Sequence, residues 1–311
     1  MNSLITMHTE MDVIIIGAGF AGLSAALFLG NARRKVLLID WGKTRNHGIA
    51  HAHNILGHEG SNPSEFLETA RQEISTLSSV QTIHAKATKL ERLSDGTFRV
   101  MLHCNAQYHA KALILATGLK DQLPTIPGLA PFWPKNLFHC PYCIAPELID
   151  APLGVICETS EAFFLSSIVQ KWTRDLILFI NDSADISETD RNKMANRGIQ
   201  IISDPILEAS DAVGESLYLH FENRSPCKRR GVFMHLNVEQ VGAALLQQLN
   251  IALRDDALVE VDEQFQTRIP YLYAIGDMAQ PVQKVTTAIA SGTIAGFGLD
   301  HQLTEWEMQK P

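Results

Sequence analysis

Cys140-Pro141-Tyr142-Cys143 sets two thiols three positions apart. A pair at this spacing closes a small disulfide that takes up or releases two electrons, or supplies half of a zinc site; it is seldom a structural staple. No second pair stands at zinc-ribbon spacing, which favours redox chemistry. Cys104, Cys157 and Cys227 have no partner in sequence and read as small hydrophobes. The second chemical signal is Gly17-Ala18-Gly19-Phe20-Ala21-Gly22. Gly17 permits a tight turn, Gly19 lets the backbone approach a pyrophosphate, and Gly22 lets a helix pack close to the preceding strand. The phosphate charge then meets free N–H groups at the helix N-terminus. Asp40, eighteen residues past Gly22, ends the next apolar run, where a carboxylate accepts hydrogen bonds from a ribose. A dithiol beside a dinucleotide-binding unit means electrons moving between a cofactor and sulfur.

The elements that must position these groups are legible as apolar runs. Asp12 to Ile16 is near-continuously apolar, as in a parallel strand covered on both faces, and an Ala/Leu-rich helix follows from about Ala21 to Gly30. Lys35 to Ile39 is a second such strand, completing a strand-helix-strand unit. Ala112 to Gly118 and Tyr271 to Asp277 are further buried strands, ending in Thr-Gly and Gly-Asp. Between them Pro124, Pro127, Pro131 and Pro134 mark entry into a separate region. There Leu153 to Cys157 and Leu176 to Ile180 read as strands, with a helix from Glu161 to Trp172 between them. The expected architecture is α/β: two Rossmann-like nucleotide-binding domains, the second (123–236) inserted into the first (1–122 and 237–311) and carrying the dithiol.

Taken together, DVIIIGAGFAGLSAA, LATG, CPYC, and YLYAIGD followed by VTTAIASGTIAG resemble the thioredoxin reductase-like flavoproteins over nearly the whole chain. The resemblance implies FAD. It implies that Gly17, Gly19 and Gly22 hold the pyrophosphate and Asp40 the adenosine ribose. Asn54 would fall in a loop near the flavin, and the main chain at Lys86 and Ala87 would meet the adenine. Thr117 and Gly118 would line the cofactor, and Gly276 and Asp277 would contact its ribityl-phosphate portion. Thr286, Thr287 and Ala288 would begin a helix aimed at the flavin ring. Cys143 would exchange electrons with the flavin and Cys140 with an outside dithiol or disulfide, of a protein or a small molecule. The family also implies a homodimer.

The chain departs from that pattern twice. After its first strand the inserted domain reads Gly154-Val-Ile-Cys-Glu158-Thr-Ser-Glu161, with carboxylates where a glycine turn would receive NADPH phosphates. After the next strand Phe179-Ile-Asn-Asp-Ser-Ala-Asp185 offers acids and no arginine to a 2′-phosphate. Both argue against NADPH. The second departure is Ile144 directly after the dithiol, where related proteins have a proton-transferring acid or histidine; His139, Glu147, a neighbouring subunit or water are the remaining candidates. His139 is equally a loop histidine without a role. Members of the family that lack the NADPH site include ferredoxin-linked enzymes and the cyanobacterial diflavin-linked disulfide oxidoreductases. The latter keep CPYC, imply a second FAD, and are the most similar. The expected function is therefore NADPH-independent exchange of electrons between a substrate dithiol and FAD, in the dithiol-oxidising direction. The alternatives are an NADPH- or ferredoxin-dependent thioredoxin reductase and a non-enzymatic flavin redox sensor.

The chain has 311 residues, 46% hydrophobic, with 26 basic and 34 acidic side chains and a net charge of −8, which disfavours nucleic acid as a partner. The basic clusters 33–35 and 228–230 read as solvated surface. An odd cysteine count with one close pair, and an N-terminus (Met1 to Glu10) without signal-peptide features, point to the cytoplasm, with peripheral membrane contact left open. His47, His51, His53 and His58 lie in a glycine-rich loop; flavin contact or loop polarity is favoured over metal, and no metal site is expected. Trp306 lies near the C-terminus and reads as an exposed leftover, or as an aromatic that covers a flavin.

Overall fold

A computed structural model describes residues 10–183 and 185–309. The N-terminal residues 1–9, read above as carrying no signal peptide, lie outside them. The chain divides into two compact units, 1–47 with 64–120 and 238–311, and 48–63 with 121–237. The segment 48–63, placed by sequence within the first domain, clusters with the inserted unit. Its polar side chains find their partners on the dithiol turn there.

The first unit begins with β1 (Glu10–Ile16), α1 (Phe20–Asn31), β2 (Val36–Asp40), α2 (Pro63–Ser75), β3 (Val80–His84), β4 (Ala87–Arg92), β5 (Phe98–Leu102) and β6 (Gln107–Leu115). Strand β7 (Leu119–Asp121) leads out of it. The inserted unit holds β8 (Leu137–Phe138), α3 (Pro141–Ile144), β9 (Leu153–Ile156), α4 (Ala162–Val169), β10 (Leu176–Phe179), α5 (Glu188–Asn196) and β11 (Gln200–Ile202), then β12 (Glu208–Ala212), β13 (Ser216–His220), β14 (Cys227–Arg229) and β15 (Gly231–Met234). The chain returns through β16 (Val238–Gln240) to α6 (Ala243–Gln248), β17 (Leu272–Ala274) and the long helix α7 (Val285–Met308).

In the first unit the sheet order is β3-β2-β1-β6-β5-β4, and β17 also pairs with β6. Strand β6 is long enough to serve two neighbours along one edge. Residues 107–110 pair antiparallel with β5, and 113–115 pair parallel with β17. The parallel strands are covered on both faces, so Val13, Ile14, Ile15, Val36, Leu37 and Leu38 are fully buried. In the inserted unit β11-β10-β9-β15-β8 form a parallel sheet, accompanied by the antiparallel β12-β13-β14. This is the expected α/β architecture of two Rossmann-type sheets.

Two sequence readings change. The basic clusters are not wholly solvated. Arg34 is buried, and donates to Asp300 (2.6 Å), Thr304 (2.7 Å) and both carboxylate oxygens of Glu307 (2.8 Å). Arg229 is buried as well and donates to Asp175 at 2.6 Å. Trp306 belongs to no loose tail. It lies on α7, with the Lys111 ammonium 5.1 Å from its ring centroid. Lys111 in turn pairs with Asp12 at the start of β1. That is the end of the sheet opposite the glycine turn, so within this unit Trp306 does not face the nucleotide end. Burial works against the Arg34 charge, but Glu307 and Asp300 outweigh it and raise its pKa. Arg34→Ala removes the guanidinium shared by Asp300 and Glu307 and leaves Glu307 with Lys111 alone, 3.2 Å away. We expect it to lower the unfolding free energy by about 2–3 kcal/mol, measured by urea denaturation with Arg34→Lys as the partial rescue.

Candidate functional site

The carboxyl ends of the first unit's strands converge. Gly17 N–H donates to the Ile39 carbonyl, Ala116 N–H to Ile16, and Ile275 N–H to Leu115. The turn after β1, the end of β2, the Thr117-Gly118 stretch and the Gly276-Asp277 turn thus share one edge, where open α/β sheets bind ligands. Gly17 has φ +113°, and a Cβ there would stand 2.2 Å from the Ala116 carbonyl oxygen. A Cβ on Gly22 would stand 1.8 Å from the Gly17 carbonyl oxygen. Those two glycines are demanded by the fold. Gly19 is not: its φ of −78° suits any residue, and a Cβ would meet nothing nearer than Thr44 at 3.8 Å. Gly118 also faces open space, although its φ of +69° asks for glycine.

Around this edge Asp40 ends β2, and burial raises its carboxyl pKa against the pull of Arg71, 3.7 Å away. Ala85 N–H donates to the Asp40 carbonyl, which brings Lys86 and Ala87 to the same corner. Trp41, 52% exposed, stands there between His84 and His103, with ring centroids 5.3 and 5.0 Å away. Sequence reasoning passed over this exposed aromatic next to Asp40. Asp277 accepts from Arg45 at 3.1 Å, an ion pair joining the loop after β2 to the turn after β17. Thr117 packs against Gly242, where a Cβ would approach its hydroxyl to 2.7 Å. At the start of α7, Thr287 accepts from Lys284 N–H at 3.1 Å, and Ala288 is buried. Thr286 lies beside them in the same first turn.

The residues fit a flavin dinucleotide. Space left open at Gly19, in a backbone that needs no glycine there, is a cradle that a side chain would fill, beside a helix N-terminus whose N–H groups suit a pyrophosphate. Gly19→Ala is expected to fold with near-wild-type stability but to purify with FAD occupancy reduced at least about tenfold, since one methyl would stand in the phosphate path. Gly22→Ala is expected to lose about 3 kcal/mol or more of stability from overpacking against the Gly17 carbonyl. Flavin absorbance per chain and thermal melts separate the two outcomes.

In the inserted unit Cys140 and Cys143 form a disulfide, with Cα atoms 5.4 Å apart. Cys140 caps the four-residue α3, Pro141 takes its first position, and Cys143 N–H donates to the Cys140 carbonyl at 3.2 Å. Tyr142 points out between them, edge-on to Trp172 at 5.7 Å and under the Lys171 ammonium at 5.6 Å. A recess of about 470 Å³ lined by Ile149, Lys171, Trp172, Arg174 and Arg197 adjoins it. His139 packs its ring on Trp133 at 5.5 Å. Asn54 comes to this turn, donating its Nδ2 to the Tyr142 carbonyl at 2.7 Å and its N–H to Glu59 at 2.7 Å. Glu147 accepts from His53 Nε2 (2.8 Å) and His51 Nδ1 (3.2 Å), while His53 Nδ1 donates to Glu59 (2.7 Å). Burial opposes a charge on His53, but Glu59 and Glu147 outweigh it and raise its pKa. The four-histidine loop thus supplies partners to a carboxylate on the dithiol turn, a pairing across 94 positions that no local signal announces. Because the folded-state pKa is raised, this network's stabilisation is complete below the unfolded histidine value of ~6.5 and fades as pH rises through the folded value. His53→Gln is therefore expected to cost more stability at pH 6 than at pH 9, read from melts at both.

Residues 11–292 match the model of the pyridine nucleotide-disulphide oxidoreductase family. A probable thioredoxin reductase of Arthroderma benhamiae is 35% identical over 175 residues, 55% of this chain and 43% of that protein, so this chain spans less than half of it. Thioredoxin reductase aclD of Aspergillus oryzae is 24% identical over 96% of this chain and 98% of its own. The solved structure of HlmI superposes with a TM-score of 0.91 at 31% identity, covering 98% of this chain and 96% of HlmI. Among the described residues no helix is long and apolar enough to cross a membrane. With its two Rossmann-type sheets and its Cys140–Cys143 pair, the chain belongs to the pyridine nucleotide-disulphide oxidoreductase family, as a thioredoxin reductase-like oxidoreductase.

Proposed function

We propose that this protein is an FAD-dependent thiol–disulfide oxidoreductase that works without NADPH and oxidises a substrate dithiol through Cys140 and Cys143. The observation that carries the reading is the chemistry of the β9–α4 turn. Glu158 follows β9 and accepts from Asn181 Nδ2 at 2.6 Å, and its carbonyl accepts from the Ser183 hydroxyl. Asn181 is itself engaged by Ile206 N–H at 3.0 Å. Glu161 caps α4. A dinucleotide phosphate arriving there would meet two carboxylates and a notch already closed by its own hydrogen bonds. Arg191 reaches the next loop from α5, but its guanidinium donates to the Ser183 and Ile186 carbonyls. That commitment leaves it poorly placed to grip a 2′-phosphate.

FAD, when bound, supplies the two-electron capacity that lets the disulfide turn over. The chain's own residues then perform the sulfur chemistry. A substrate thiolate attacks Cys140 Sγ, the S–S bond breaks, and Cys143 leaves as thiolate. The second substrate thiol attacks the substrate sulfur of the mixed disulfide, freeing Cys140 and releasing substrate disulfide. The dithiol loses two electrons and the Cys140–Cys143 pair gains them. Thioredoxin reductase activity, with NADPH or ferredoxin as donor, is the second reading, its activity but not its donor supported by the names of relatives; a redox sensor without turnover is the third. A second FAD and a homodimer complete the proposal.

Anaerobic flavin absorbance of the purified protein, mixed separately with dithiothreitol and NADPH, tests it. We expect bleaching by dithiothreitol and none by NADPH, with Cys140→Ser and Cys143→Ser each lowering dithiol turnover by about a thousandfold or more. Rapid bleaching by NADPH would return the chain to the ordinary thioredoxin reductases. A flavin-to-chain ratio of two rather than one decides the second FAD.

A further inference from the structure

Thiol–disulfide exchange needs a proton acceptor, and Ile144, next to Cys143, cannot titrate. Glu147 lies in the short 3-10 turn (Ala145–Leu148) that directly continues α3. We propose that His53 and Glu147 are the proton-handling pair of the Cys140–Cys143 dithiol, with Glu59 fixing His53 in position. The inference rests on the dithiol reading above and names the groups that serve it.

The hydrogen bonds define the roles. Glu59 holds two donors at once, His53 Nδ1 through one oxygen and Asn54 N–H through the other. Asn54 is anchored in turn to the Tyr142 carbonyl, inside the CPYC turn. The imidazole is therefore located by the dithiol loop itself, and its side chain is only 12% exposed. With Nδ1–H committed to Glu59, the proton that can come and go lies on the Nε2–Glu147 axis. Removing it sets two acceptors 2.8 Å apart, an arrangement that readily takes a proton back. The charged groups bearing on His53 are Glu59 and Glu147, with His51 on the far side of the shared carboxylate. Two carboxylates against one other imidazole favour the imidazolium.

The balance closes. A substrate dithiol gives up two electrons and two protons and becomes a disulfide. Cys140 and Cys143 accept the electrons as their S–S bond breaks. One proton stays on Cys140 as a thiol, Cys143 remains a thiolate, and the second proton goes to His53 Nε2, the imidazole having entered the exchange neutral, its Nε2 proton given up to solvent and its Nδ1–H kept on Glu59. His53 acts through Glu147 and is a positioning and proton-holding residue. The sequence offers His139, Glu147, a neighbouring subunit or water; the geometry couples Glu147 to a histidine from a distant segment.

The test uses the FAD-loaded protein, with dithiothreitol as the dithiol probe and iodoacetamide as the thiolate probe. The variants are His53→Gln, Glu147→Gln, Glu59→Gln and Cys140→Ser. We expect His53→Gln and Glu147→Gln each to slow dithiothreitol-driven flavin bleaching at pH 7 by about a hundredfold. Their double variant should be no worse than either single, because the two act as one unit. The pH at which the reduced dithiol reaches half its plateau alkylation rate should rise by about one unit in both. Glu59→Gln should fall between these and wild type. Bleaching rates and alkylation profiles superimposable on wild type in His53→Gln and Glu147→Gln would overturn the inference. If His53→Gln does not fold, Glu147→Gln alone decides. Loss of bleaching in Cys140→Ser with normal His53→Gln would sink this pair but leave the dithiol reading standing. Normal bleaching in Cys140→Ser would sink the dithiol reading itself.

Discussion

The close approach of α1 to the turn beneath it is the constraint from which the nucleotide end of the first unit is built. The Gly17 carbonyl stands where a Cβ of Gly22 would be, at 1.8 Å, and the Ala116 carbonyl where a Cβ of Gly17 would be, at 2.2 Å. Gly292 repeats the motif from the other side: its Cβ would stand 2.3 Å from the Ala21 carbonyl, so α7 also meets α1 backbone to backbone. Ser24 seals that contact by donating to the Ile289 carbonyl at 2.7 Å. Three missing side chains draw β1, α1 and α7 together and leave the helix N-terminus uncovered at Gly19. A packing requirement thus creates a binding opportunity.

The inserted unit repeats the parallel sheet with different residues at the corresponding turn. Its β9–α4 turn has the same topological place as the turn after β1, yet it carries Glu158 and Glu161 and a hydrogen bond from Asn181. Gly154 lies within β9, where its missing Cβ makes room for Phe179, a core role. The turn after β1 therefore holds no carboxylate of its own, whereas the turn after β9 holds two. Anion recognition depends on backbone donors at a helix start and on the absence of competing carboxylates, so the difference lies in a few turn residues and not in the fold.

The inserted unit carries the Cys140–Cys143 pair. The CPYC turn is short and its cysteines are held by α3. Much of its surroundings comes from far away in sequence: Asn54, Glu59, His51 and His53 from one segment and Trp172 from another. Disulfide exchange at a turn this small depends on what those neighbours do to charge and protons.

The sequence by itself determined the glycine turn and the cores of six buried parallel strands, but not the antiparallel strands or the early start of β6 at Gln107, because an apolar run covered on both faces and a phosphate-binding turn are local patterns. β1, β2, β9 and β10 lie within a residue or two of where the apolar runs put them, and α7 begins beside Thr286, Thr287 and Ala288. It also exposed the carboxylates after β9, since a missing glycine is visible without coordinates. Only the tertiary structure decided that Arg34 and Arg229 are buried, that Trp306 lies on α7 beside Lys111, that segment 48–63 joins the inserted unit, and that His53 meets Glu147. Each of these is a pairing between polar or amphipathic side chains far apart in the chain. Composition and periodicity report a residue's own preference for water or core. They carry no information about which opposite charge, ring or carbonyl the fold will bring against it.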